Sequence, residues 1–137
     1  MNILYVEDNK VNAVVMDKML SKNSLKVIIA ENALRALEMV NEHELDLILV
    51  DINLGINQMD GCELLQRFQQ INNLQAIPKY AVTAYAMPGD KKKFINLGFD
   101  NYFSKPVDFK KLQKAIDKVE SRLKESHSVR TTKEKIN

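Results

Sequence analysis

Leu45-Asp46-Leu47-Ile48-Leu49-Val50-Asp51 is the stretch from which the rest of the chain is read. Four consecutive apolar residues, Leu47–Val50, run straight into a carboxylate. A short apolar run bounded by polar residues has the composition of a strand buried on both faces. Asp51 then sits where that strand leaves the sheet. In open α/β sheets, ligands bind in the crevice beyond the carboxyl ends of the strands. Asp51 is therefore the candidate working residue, and every other signal is weighed by whether it can reach it.

Outward from this strand the chain alternates strand and helix five times. Asn2–Val6 reads as the first strand, followed by Glu7-Asp8-Asn9 and a helix over about Lys10–Lys22 with Val11, Val14, Val15 and Met19 on one stripe. Leu25–Ala30 is the second strand. Asn32 caps a helix to about Glu42, its inner face Ala33, Leu37 and Val40. After Asp51 comes a long loop, Ile52–Gln58, then a helix over about Asp60–Ile71 with Leu64, Leu65, Phe68 and Ile71 inward. Pro78 opens the fourth strand, Tyr80–Thr83. Pro88 suits the first turn of a fourth helix, which Gly98 ends. Asn101–Ser104 is the fifth strand. Asp108 caps the last helix, with the stripe Leu112, Ala115, Ile116, Val119 and Leu123. Beyond Lys124 the pattern stops. Residues 1–124 are thus expected to form one domain, and 125–137 a basic tail or linker remnant.

Composition bounds the function. The 137 residues carry 45% hydrophobic and 28% charged side chains, values normal for a soluble domain with a real core. The net charge is +2, and residues 121–137, with five Lys/Arg against two Asp/Glu, hold +3 of it. The folded part is near neutral, which argues against a dedicated nucleic-acid surface. The single Cys62 cannot pair within the chain, and no Cys/His metal spacing is present. No apolar run approaches the roughly 20 residues that cross a bilayer. A cytoplasmic location is expected, with no membrane partner.

Regular βα alternation implies a parallel sheet with helices on both faces, crossing over right-handedly. Four strands end in residues of distinct chemistry: Glu7-Asp8, Asp51, Thr83 and Lys105. A parallel sheet puts those ends on one edge. If the first and third strands are neighbours, as in the flavodoxin-like order 2-1-3-4-5, three carboxylates meet at the switch point. Clustered carboxylates resist ionisation unless a cation is present. Mg²⁺ suits the set, because it takes one or two carboxylates and keeps other positions for water and phosphate. A hydroxyl and an ammonium beside it complete the requirements of a phosphoryl group. The central carboxylate can then act as nucleophile and form an acyl phosphate.

Tyr5-Val6-Glu7-Asp8-Asn9, Val50-Asp51, Val82-Thr83-Ala84 and Tyr102-Phe103-Ser104-Lys105-Pro106 together resemble the receiver domain of two-component response regulators. The resemblance covers about residues 2–124, and Glu7–Asn12 is similar in particular to receivers attached to hybrid histidine kinases. It implies a doubly wound five-stranded parallel sheet with five helices. It implies that Asp51 is the phosphoacceptor and that Asp8 ligates Mg²⁺ directly, with Glu7 acting nearby or through water. Asn53 matches the residue whose backbone carbonyl joins the metal ligands. Thr83, Ala84 and Lys105 match the phosphate-contacting positions; Thr83 and Tyr102 match the moving pair, and Pro106 the Lys-Pro bond that is commonly cis. The implied partner is a histidine kinase or histidine phosphotransfer protein. The protein would accept its phosphate without being an enzyme, though able to lose that phosphate by its own hydrolysis.

Two places depart from the family pattern. The loop after Asp51 reaches Gly61 ten residues on instead of eight, with Gly55 where Pro is common. Lys79-Tyr80 occupies places that are normally small and aliphatic. Cys62 and the six Met are read as core filler, and Lys91–Lys93 as a solvated helix face. His43 and His127 have no partner that makes either catalytic. Two rival functions stand beside phosphoacceptance. One is a receiver-like protein-interaction module that is not phosphorylated. The other is a phosphohydrolase with an aspartyl nucleophile, which needs an Asp-x-Asp pair where this chain has Glu7-Asp8-Asn9.

Overall fold

Leu47–Asp51 is buried at every position because this strand lies in the middle of the sheet with helices on both sides. Shielding each of its four apolar side chains contributes about 1.5–3 kcal/mol. The computed structural model describes residues 1–136 apart from Gly55–Gln58, Tyr85 and Ala86, with side chains described as far as Glu125. Five strands, β1 (Asn2–Val6), β2 (Lys26–Ala30), β3 (Leu47–Asp51), β4 (Lys79–Thr83) and β5 (Asn101–Ser104), pair in parallel in the order β2-β1-β3-β4-β5. The intervening helices are α1 (Lys10–Ser21), α2 (Ala33–Glu42), α3 (Gly61–Gln69) and α4 (Asp90–Leu97), with a 3₁₀ turn at Asn72–Leu74. Helix α5 (Phe109–Ile136) closes the chain.

Strand alternation splits the core in two. Leu4, Val6, Ile48, Val50 and Ala81 face α2, α3 and α4. Ile3, Tyr5, Leu47, Leu49, Tyr80 and Val82 face α1 and α5. The doubly wound α/β fold expected from the sequence is the fold observed.

Helix α1 corrects the sequence reading. Its buried residues are Ala13, Met16 and Leu20, while Val11 and Val14 are 70% and 52% exposed and Val15 and Met19 also lie on the outer side. Both stripes have helical spacing, so spacing alone does not choose between them. The structure does: Ala13, Met16 and Leu20 pack inward, and the Asn12 amide reaches Glu7 Oε1 at 2.8 Å. Replacing Val11 or Val14 by Lys is therefore expected to change stability by no more than about 0.5 kcal/mol, checked by urea unfolding. A loss of several kcal/mol would place that face in the core.

Smaller differences have local causes. In α2 the buried set is Ala33, Ala36 and Val40, with Leu37 only partly covered. Helix α3 stops at Gln69, and Ile71 leads into the 3₁₀ turn. Pro88 lies before α4 and not in its first turn: Gly89 takes φ +87° ahead of the helix, and the Met87 N–H donates to Asp90 Oδ2 at 2.7 Å. Helix α5 continues past Lys124, where the apolar stripe ends, to Ile136. Lys79 is buried, and its ammonium donates to the carbonyls of Leu74 and Ile77 at 2.6 and 2.7 Å, closing the 3₁₀ turn. Burial pulls that ammonium below its ordinary value, opposed by Asp100. Of the long loop expected at Ile52–Gln58, Gly55–Gln58 lie outside the described residues.

Candidate functional site

The register carries the strand ends to one edge: Val6 lies beside Val50, Asp51 beside Val82, and Thr83 beside Ser104. The residue after each strand is then tied to its neighbour by a backbone bond. Glu7 N–H donates to the Ala30 carbonyl at 2.9 Å, Ile52 N–H to Val82 at 3.0 Å, and Lys105 N–H to Thr83 at 2.8 Å. Sheet hydrogen bonding thus extends one residue beyond β1, β3 and β5 and fixes the chain that bears Glu7, Asp51 and Lys105.

Carboxylate oxygens of Glu7, Asp8 and Asp51 all lie within 4.8 Å of one another. Glu7 and Asp51 are buried, while Asp8 faces solvent. The Lys105 ammonium bridges the two buried acids, 3.1 Å from Asp51 Oδ2 and 3.2 and 3.1 Å from Glu7 Oε1 and Oε2. Asn12 Nδ2 donates to Glu7 Oε1 at 2.8 Å, and the Tyr5 hydroxyl to Oε2 at 3.3 Å. On the other side, the Asn53 N–H donates to Asp51 Oδ1 at 3.1 Å, and the Asn53 amide reaches Thr83 Oγ1 at 3.3 Å. Six of the residues named from the sequence (Glu7, Asp8, Asp51, Asn53, Thr83 and Lys105) are brought together.

The others sit further out. Ala84 follows Thr83 and is exposed. Tyr102 is half-buried and stacks on Phe94 of α4, with centroids 5.5 Å apart. Pro106 follows a cis peptide bond from Lys105 and lines a groove of about 660 Å³ on the β5–α5 side. That groove, which Tyr80, Tyr102, Lys111, Lys118 and Arg122 also line, does not include the acidic cluster.

Crowding sets the electrostatics. Burial first, then the hydrogen bond and charge of Glu7, push Asp51 up to about 7, against the pull of Lys105 and the Asn53 amide. Burial also pushes Glu7 up, but hydrogen bonds from Asp51, Asn12 and Lys105 outweigh it, so Glu7 lies below its ordinary value. Burial pulls Lys105 down, yet Asp51 and Glu7 hold it above its ordinary value. Burial and crowding thus oppose ionisation of Asp51 beside Glu7, with one ammonium set between the two acids. A hard divalent cation fits this set of oxygens, since it supplies the charge that lets both acids ionise.

The sequence reading assigned no role to Tyr5 or Asn12. A signal existed for each: Tyr5 stands two residues before Glu7, hence on the same side of the strand, and Asn12 lies one helical turn after the Asn9 cap.

Residues 3–117 match the response regulator receiver domain family. The chain belongs to that family. Among curated relatives, the polar-differentiation response regulator DivK of Brucella anthropi is 35% identical over 106 residues, covering 77% of this chain and 85% of its own length. DivK of Brucella ovis is 34% identical over the same shares. A CheY-like receiver domain protein from Methanospirillum hungatei superposes with a TM-score of 0.76 at 30% identity, over 90% of this chain and 97% of that one. The receiver domain of a DNA-binding response regulator from Colwellia psychrerythraea reaches 0.80 at 24% identity, over 88% and 98%, which speaks to the fold alone. This receiver has, among its described residues, no helix long and apolar enough to cross a membrane.

Proposed function

We propose that this receiver accepts phosphate on Asp51 from the phosphohistidine of a histidine kinase or histidine phosphotransfer protein. An Asp51 carboxylate oxygen attacks phosphorus, the phosphorus–nitrogen bond breaks, and the imidazole leaves as an acyl phosphate forms. The observation that carries this is the convergence of Glu7, Asp8 and Asp51 within 4.8 Å, with Lys105 at 3.1 Å from Asp51. Glu7, Asp8, Asp51 and the Asn53 carbonyl would hold Mg²⁺, which neutralises charge on the transferring group when bound. Lys105, Thr83 and the backbone of Ala84 would contact the phosphoryl oxygens.

The new phosphate brings negative charge and three acceptor oxygens to the strand ends. Thr83 and Lys105 would close on it, and Tyr102 would turn from Phe94 toward the space that Thr83 vacates. The α4–β5–α5 face, with Pro106 beside it and the basic groove along it, would then present a different surface. Phosphate must contact the two states differently to bias them. We assign this work to residues 1–124 and read 125–137 as an extension beyond the receiver. The protein acts as an acceptor in the relay, with hydrolysis of its own acyl phosphate as the reset.

Incubation of the purified chain with a small acyl phosphate donor is expected to add one phosphoryl group in Mg²⁺ and none after chelation, read by intact mass. Absence of uptake in millimolar Mg²⁺ would favour a receiver-like interaction module that is not phosphorylated. Uptake indifferent to chelation would remove the metal from the account.

A further inference from the structure

Glu7 poses a problem of its own. Glu7 is 1% exposed, yet the ammonium that compensates its carboxylate is shared with Asp51. Once Lys105 turns to a phosphoryl group, the buried Glu7 loses its ammonium and depends on its remaining donors, beside any bound cation, to hold it in place. Two neutral donors do remain, one on each oxygen: Asn12 Nδ2 on Oε1 at 2.8 Å and the Tyr5 hydroxyl on Oε2 at 3.3 Å.

Tyr5 is the less expected of the pair. It sits in the middle of β1, fully buried, with Ile29 and Leu49 beside it on the flanking strands. A core position between two aliphatic neighbours needs no hydroxyl, and a buried hydroxyl needs a partner. Period-two alternation aims this one along the strand at Glu7. Tyr80 supplies a built-in comparison, since it packs in the same core layer and its hydroxyl faces the Ala115 carbonyl at 3.5 Å, away from the acids.

We propose that Tyr5, seconded by Asn12, is a positioning residue that holds the Glu7 carboxylate oriented for the Mg²⁺ site. The proposal rests on the metal-binding reading above. Partners behind metal-binding carboxylates fix their orientation, and their loss typically costs 10–100-fold in affinity. Tyr5→Phe keeps the ring and removes only the donor.

The test is titration of the unphosphorylated protein with Mg²⁺ by calorimetry, for wild type, Tyr5→Phe, Asn12→Ala and Tyr80→Phe. The Tyr5→Phe dissociation constant is expected to rise about tenfold, Asn12→Ala to move the same way, and Tyr80→Phe to stay within about twofold of wild type. The melting temperature of metal-free Tyr5→Phe should match that of Tyr80→Phe. With a small phosphodonor, half-saturating Mg²⁺ should shift by the same factor while the rate at saturating Mg²⁺ holds. Wild-type binding with an unchanged Tyr5→Phe constant overturns this proposal alone. Failure of wild type to bind Mg²⁺ overturns it together with the reading on which it rests.

Discussion

Asp51→Asn is expected to be more stable than wild type by about 4 kcal/mol at pH 8 without Mg²⁺, and by only about 1–2 kcal/mol at pH 5. The reason is the crowding at the strand ends. Folded Asp51 keeps its proton up to about 7, against 3.8 for an ordinary Asp. Between those values the folded state binds more protons than the unfolded one, so stability falls as pH rises. Glu7 has the opposite sign: its lowered value stabilises the fold above the ordinary 4.5 and is lost only as pH falls below that. Across pH 5–8 the slope therefore belongs to Asp51. Urea unfolding at both pH values should show wild type losing stability toward pH 8 and the Asn variant holding level. Mg²⁺ should restore wild type, by about 2.7 kcal/mol at a hundredfold excess over its dissociation constant. Equal pH slopes in the two proteins would mean that Asp51 is not held up by its neighbours.

Gly61→Ala is expected to cost about 2–3 kcal/mol, toward the upper end for an overpacked site. A Cβ at this position would stand 2.6 Å from the Asp51 carbonyl oxygen and 2.8 Å from Ile52 Cα, both backbone atoms that cannot rotate away. The same close approach lets the Gly61 N–H donate to the Ile52 carbonyl at 3.1 Å, which closes the loop after Asp51 although it is two residues longer than usual. Either α3 or the end of β3 must give, and the second choice displaces Asp51 itself. Thermal unfolding should show the loss, and phosphate uptake should slow with it. A variant as stable and as active as wild type would mean that the start of α3 is not packed against β3.

Much of this architecture was legible because it is written in composition at short range. Leu47–Asp51 had to be a central strand, and Glu7, Thr83 and Lys105 fell beside Asp51 once parallel pairing was assumed. What was not legible depends on contacts between distant residues. The inward face of α1 is chosen by packing against the sheet, and an Ala13-Met16-Leu20 face looks weaker on paper than a stripe of four apolar residues. The continuation of α5 to Ile136 runs past the end of the apolar stripe, so an apolar pattern does not register it. The hydroxyl of Tyr5 was hidden in a residue that reads as core.

The central claim is that Asp51 is the residue that takes the phosphate. Intact mass of wild type and Asp51→Asn, after incubation with a small acyl phosphate donor and Mg²⁺, tests it most directly. The account predicts one added phosphoryl group on wild type and none on Asp51→Asn. Equal uptake by the two proteins would contradict it.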